Sequence, residues 1–130
     1  MLFGEDTYTL AKLLSDGFCV AYVADACVLH SHNYSILQDF KRYFDIGVFH
    51  ARHQTLIEKF GTPIAEGRQY VQSEFAFLIK RKKYWLVPES CVRNLAKFLA
   101  YNLGKRYTLI PFRLSMRLSM NRKWWMNSTR

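Results

Sequence analysis

The apolar positions of this chain fall into several runs with helical spacing and one stretch with strand-like spacing. Tyr8, Ala11 and Leu14 share one stripe with Leu10 and Leu13 beside it, which predicts a first helix from about Glu5 to Leu14, closed by Asp16-Gly17. The stretch "FCVAYVADACVLH" is rich in β-branched residues and predicts two short strands, Cys19 to Val23 and Ala26 to His30, split at Ala24-Asp25. Ser35 is a good N-cap for a second helix reaching about His53. Ile36, Phe40, Tyr43, Phe44, Gly47 and Val48 form its apolar face, with Asp39, Lys41, Arg42 and Asp45 on the opposite side. A short helix over Leu56 to Phe60, a Gly61-Thr62-Pro63 loop and a helix over Gly67 to Lys82 follow. Pro88 then opens a helix expected to end before Gly104. In the tail Arg-Leu-Ser-Met occurs twice in succession. A helix over 112–125 would set Arg113 and Arg117 one turn apart, with Leu114 and Leu118 beside them. The expected fold class is α+β, mostly α, with one short β element followed by a helical region.

Composition bounds this picture. With 130 residues and half of them apolar, the chain can fill one core, and it is too hydrophobic to be disordered. The longest stretch free of charged residues, 26–38, is shorter than the roughly 20 residues of a spanning helix. Cys19, Cys27 and Cys91 are odd in number and have no framework spacing, so they read as small buried hydrophobes of a protein in the reducing cytoplasm.

Charge adds a statement about partners. Residues 1–79 carry 6 Lys+Arg against 9 Asp+Glu, whereas residues 80–130 carry 13 against the single acid Glu89. A polyanion is expected to meet the second half. Lys80 to Lys83 precede Tyr84-Trp85, and Arg122-Lys123 precede Trp124-Trp125, so both clusters set cations beside aromatics. Three readings are open: a solvated basic face, a nucleic-acid surface, or docking on an anionic membrane. No recognised nucleic-acid motif occurs, and no nucleic-acid partner is expected. On the membrane reading Arg113, Arg117, Arg122, Lys123, Trp124 and Trp125 form the contact, and the protein is peripheral on the inner face of the cell membrane.

Two constellations are candidates for chemistry. Glu5-Asp6 opens the first helix, either as compensation of the helix dipole or as a general base in a cleft. In "VLHSHNYS" His30 and His32 alternate from the end of a predicted strand. They read either as a pair on one side, suited to a divalent metal or a diphosphate, or as one buried and one exposed histidine. His50 and His53 read as surface or subsite residues.

Taken in order, Gly4-Glu5-Asp6, an apolar helix, a glycine turn, two short strands and "HSHNYS" resemble the C-terminal end of the catalytic domain of family 2 glycosyltransferases. The continuation "LQDFKRYFDIGVFHAR" (37–52) is similar to bacterial rhamnosyltransferases of that family, which build O-antigens and other surface polysaccharides. The resemblance covers 2 to about 60 closely and runs loosely to Leu118. It implies the C-terminal fragment of a GT-A α/β enzyme. Residues 1–34 would end the catalytic domain, 35–110 form a helical acceptor-side region, and 111–130 form a basic, Trp-containing tail.

By the same resemblance Asp6 is the base that deprotonates an acceptor hydroxyl, and Glu5 helps to orient the acceptor. His30, with His32, lies near the donor diphosphate and a divalent metal (Mg or Mn), His30 as its ligand. Asn33, Tyr34, Arg42 and Arg52 lie near acceptor or substrate. The implied reaction is inverting transfer of a deoxysugar, dTDP-rhamnose being the suspected donor, to a lipid-linked glycan. The Asp-x-Asp that holds metal in that family occurs nowhere in this chain. The expectation is therefore a piece inactive alone, completed by an N-terminal partner chain or segment. The alternative is a non-catalytic basic module that binds an anionic membrane or a partner protein.

Overall fold

The computed structural model of the chain describes residues 2–29, 32–60 and 64–128. Its α-helices are α1 (Glu5–Ser15), α2 (Ile36–Arg52), α3 (Gln54–Phe60), α4 (Ile64–Lys80), α5 (Val87–Lys105), α6 (Phe112–Leu118) and α7 (Arg122–Asn127), with single 3₁₀ turns at Tyr84–Leu86 and Tyr107–Leu109. The mostly helical expectation holds, but the short β element does not form among the described residues. The stretch 18–29 is exposed and has no regular secondary structure, with a turn at Ala24-Asp25. Its printed backbone bonds are local, such as Ala26 N–H to the Val23 carbonyl at 3.2 Å. Two short strand-type runs alone are marginal in water, because most of their N–H and C=O groups lack a neighbouring strand.

The centre of the molecule is the α2–α5 pair. Ser35 starts α2 through a capping box: its hydroxyl accepts the Gln38 N–H at 3.3 Å, and its own N–H donates to Gln38 Oε1 at 2.9 Å. Gly47 of α2 faces Gly104 of α5 at the crossing. A Cβ on Gly47 would run into the Tyr101 carbonyl oxygen, and one on Gly104 into that of Phe44. Gly104 is thus an approach point inside α5, and the helix continues to Lys105 beyond its expected end.

Phe44, Val48, Ala100, Leu2 and Trp125 form the core, with Tyr107, Ile110, Met116, Leu118 and Trp124 against it. The tail is not one interfacial helix. It breaks at 119–121 into α6 and α7 and folds back, so that Trp125, 5% exposed, lies among the rings of Phe44, Tyr107, Phe112 and Trp124. Asp45 secures the break, its Oδ2 accepting the Met120 N–H at 2.9 Å.

Two further expectations are corrected. Asp39 and Asp45 are buried rather than on a solvent side of α2. Asp39 meets Arg93 of α5 at 2.6 Å, and Asp45 meets the tail. Cys19, Cys27 and Cys91 are all exposed: the first two lie on the uncovered stretch 18–29 and the third on α5. No helix among the described residues is long and apolar enough to cross a membrane.

Candidate functional site

The start of α1 is set by Gly4. Its φ of 74° is left-handed, and a Cβ there would come within 2.8 Å of the Phe49 ring, so glycine alone fits. That seats the helix on α2 and α3: Tyr8 stands edge-on to His53 at 5.2 Å, and Lys59 Nζ donates to Ser15 Oγ at 3.3 Å. Glu5 and Asp6 are left exposed in the first turn, beside a shallow open depression lined by Thr9, Leu10 and Leu13. Asp6 is exposed, and its Oδ1 accepts the Thr7 N–H at 2.8 Å. The pair therefore stands in a dipole-compensating position and is open to solvent, on an open depression rather than in a cleft.

A second cluster lies on the N-terminal part of α2. The Arg42 guanidinium sits 5.0 Å over the Phe3 ring and 5.4 Å over the Tyr34 ring, and its Nη1 donates to the Tyr34 hydroxyl at 3.2 Å. His32 stacks on Tyr34 with ring centroids 4.8 Å apart. Arg93 Nη1 holds the backbone beneath by donating to the Tyr34 carbonyl at 2.8 Å and to Asp39 Oδ2 at 2.6 Å. Phe3, next to Gly4, links this cluster to the start of the acid-bearing helix. The structure thus joins His32, Tyr34 and Arg42; Asn33 is exposed in the same segment. Phe3 and Arg93 were missed from sequence, since neither has a neighbour in the chain that marks it.

Other candidates are dispersed. His30 lies outside the described residues. Arg52 is on the far end of α2, its guanidinium 5.1 Å over the Trp124 ring. Arg113, Arg117, Arg122 and Lys123 are exposed, whereas Trp124 is half-buried and Trp125 is core. Trp125 cannot serve as a membrane contact, because burying its ring completes the hydrophobic centre. His50 lies 3.0 Å from the Tyr101 hydroxyl, and burial, then Lys105, hold it below the ordinary imidazole range. Among the described residues no three His, Cys, Asp or Glu side chains converge on a possible metal position. The divalent metal implied by the resemblance therefore finds no fitting ligand set there.

Comparison with known proteins gives the geometry its context. The chain is 40% identical over 126 residues, 97% of its length, to the O-antigen chain rhamnosyltransferase WbaN of Salmonella anatum. It is equally similar, over the same extent, to the O-antigen chain rhamnosyltransferase RfbN of Salmonella typhimurium LT2. The chain spans 40% of the length of each of these relatives. No family model and no solved structure matches it.

Proposed function

We propose that this chain is the acceptor-side part of an O-antigen rhamnosyltransferase-like enzyme of GT-A type, carrying the catalytic base and completed by a longer polypeptide. The observation that carries the reading is the 40% identity across 97% of the chain to two proteins named as such rhamnosyltransferases. The exposed Asp6 carboxylate at the start of α1 supports it. In the proposed step the acceptor hydroxyl oxygen attacks the anomeric carbon of a nucleotide-diphosphate deoxysugar from the face opposite the diphosphate. The new C–O bond forms as the bond to the diphosphate breaks. The bond's electron pair leaves with the diphosphate, and the hydroxyl proton passes to Asp6, with inversion at carbon. Glu5 orients the acceptor. His32, Tyr34 and Arg42 offer a cationic, aromatic wall on which a sugar or phosphate can rest. No step is routed through a metal, and dTDP-rhamnose and a lipid-linked glycan are the proposed donor and acceptor.

The uncovered runs 19–23 and 26–29 also support the fragment reading: strand-type sequence with mostly unpaired backbone suits a sheet supplied by the completing polypeptide. A chimera tests the proposal. The 126 matched residues of this chain replace the corresponding region of the Salmonella anatum enzyme, and transfer to lipid-linked acceptor is assayed. The chimera is expected to transfer rhamnose and the isolated chain to transfer none. A folded but inactive chimera, or turnover by the isolated chain, would count against the reading.

A further inference from the structure

The cation-rich half presents a continuous surface that the tail does not provide. Trp85, Pro88, Val92, Leu95, Leu99 and Leu103 recur at spacings of three and four from the 3₁₀ turn along α5, and all are exposed. The opposite side of the helix, with Ser90, Ala100 and Gly104, is buried. An aliphatic row about 28 Å long therefore faces outward. Cations bound it at both ends: Lys80, Arg81, Lys82 and Lys83 before Trp85, and Lys105 and Arg106 after Leu103. None of the first four is ion-paired among the described residues. The one acid of residues 80–130, Glu89, is engaged by Arg93 at 3.0 Å. Trp85 is 72% exposed, its neighbour Tyr84 is exposed too, and both sit where the cationic tip meets the apolar row.

The backbone of the tip adds a second observation. α4 ends with Lys83 N–H bonded to the Leu78 carbonyl and Lys82 N–H to that of Ile79, each at 2.9 Å. In such a closure the left-handed residue is usually glycine. Here it is Lys82, with φ 56°. A cation stands where glycine would strain the chain less.

We propose that the outward face of α5 and the Lys80–Trp85 tip form a membrane-docking surface that lies on an anionic bilayer. The aliphatic row enters the acyl boundary, Trp85 and Tyr84 sit at the headgroup level, and the cations meet lipid phosphates. No described helix is long and apolar enough to cross, so the geometry is that of a helix lying in the interface. Charge argues against a second copy as the occupant, since residues 80–130 carry 13 cations and one acid and two such faces repel. From Pro88 to Leu103 the row is aliphatic, so beyond Tyr84 and Trp85 at its one end it offers bases no stacking platform, which argues against nucleic acid along its length. This inference does not depend on the glycosyltransferase reading, because its test needs no sugar transfer.

The experiment is flotation of the purified chain with phosphatidylglycerol-containing vesicles and with pure phosphatidylcholine vesicles, at low and high salt. Binding to the anionic vesicles, weakened by salt, is expected. The quadruple variant Lys80→Gln, Arg81→Gln, Lys82→Gln, Lys83→Gln should lose about fivefold in affinity per cation at low salt. Leu95→Ser with Leu99→Ser should bind at least tenfold more weakly, with its helical circular dichroism and melting retained because both positions are exposed. Arg113→Gln with Arg117→Gln should change binding less than the tip variant. Brominated lipid should quench tryptophan emission, and Trp85→Phe should abolish the quenching while leaving Trp124 and Trp125. Absence of anionic-vesicle binding, binding unaffected by the Leu95/Leu99 variant, or quenching that survives Trp85→Phe overturns the proposal. So does a stable dimer, or a nucleic-acid complex, that the same Leu variant disrupts.

Discussion

Asp45 is 2% exposed, and its carboxyl is pushed up to about 6 by burial, against the opposing help of the Ser119 hydroxyl and the Met120 and Asn121 amides. In the unfolded chain it titrates near 4. Between about pH 4 and pH 6 the folded state therefore binds more protons than the unfolded one, and this group's contribution to stability falls as pH rises through that window, then levels. The change is on the order of 2–3 kcal/mol. Asp45→Asn keeps an acceptor for the Met120 N–H and removes the titration. Urea melts of the variant should show wild-type minus variant stability declining from about pH 4 to about pH 6.5 and flat above. A constant difference across that range would mean that Asp45 does not titrate with folding. Nothing in the sequence marked this residue. A charged side chain on an amphipathic helix defaults to the solvent side, and the groups that pull Asp45 inward lie about 75 residues further along the chain.

At the scale of elements, α2 and α5 touch backbone to backbone at Gly47 and Gly104, so Gly104→Ala forces the helices apart. Overpacking usually costs about 1–3 kcal/mol, and here the obstacle is a main-chain carbonyl that cannot rotate away, so a loss of about 3 kcal/mol or more is expected. Gly67 of α4 supplies the control: a Cβ there meets nothing within 4 Å, and Gly67→Ala should gain about 0.5–1 kcal/mol through helix propensity. Thermal melts that move both variants the same way would contradict this account of the helix pair. The elements were largely legible. Ser35, Asp16-Gly17 and Pro88 marked helix ends because caps act within a few residues. Gly104 was misread as a terminator because glycine serves both ends and crossings, and only the partner helix separates the two. The stop after α4 was misplaced by two residues because a lysine takes the left-handed position that glycine usually announces. The two predicted strands do not form among the described residues, since β-branched content marks a preference and a strand exists only with its neighbour.

On the scale of the molecule, charge and exposure separate two regions. The acidic portion carries Glu5, Asp6 and the exposed stretch 18–29; the basic portion carries the tip and the outward face of α5. If a longer polypeptide completes a sheet with 19–23 and 26–29, those amides should exchange rapidly in the isolated chain and be protected in the chimera. Rapid exchange in an active chimera would remove the sheet from the account. The position of the acid pair in a first helical turn was legible because such signals are local, whereas the joining of His32, Tyr34 and Arg42 needed Phe3 and Arg93 to be placed by the fold.

The most direct test of the central claim is the turnover number of the chimera carrying Asp6→Asn, compared with the parent chimera at saturating donor and acceptor. Asparagine keeps the shape and the oxygen that accepts the Thr7 N–H but cannot take a proton. The account predicts a loss of about 10²–10⁴-fold, with melting temperature and acceptor KM little changed. Turnover within a few-fold of the parent would contradict it and leave Asp6 as a residue that only steadies the start of α1.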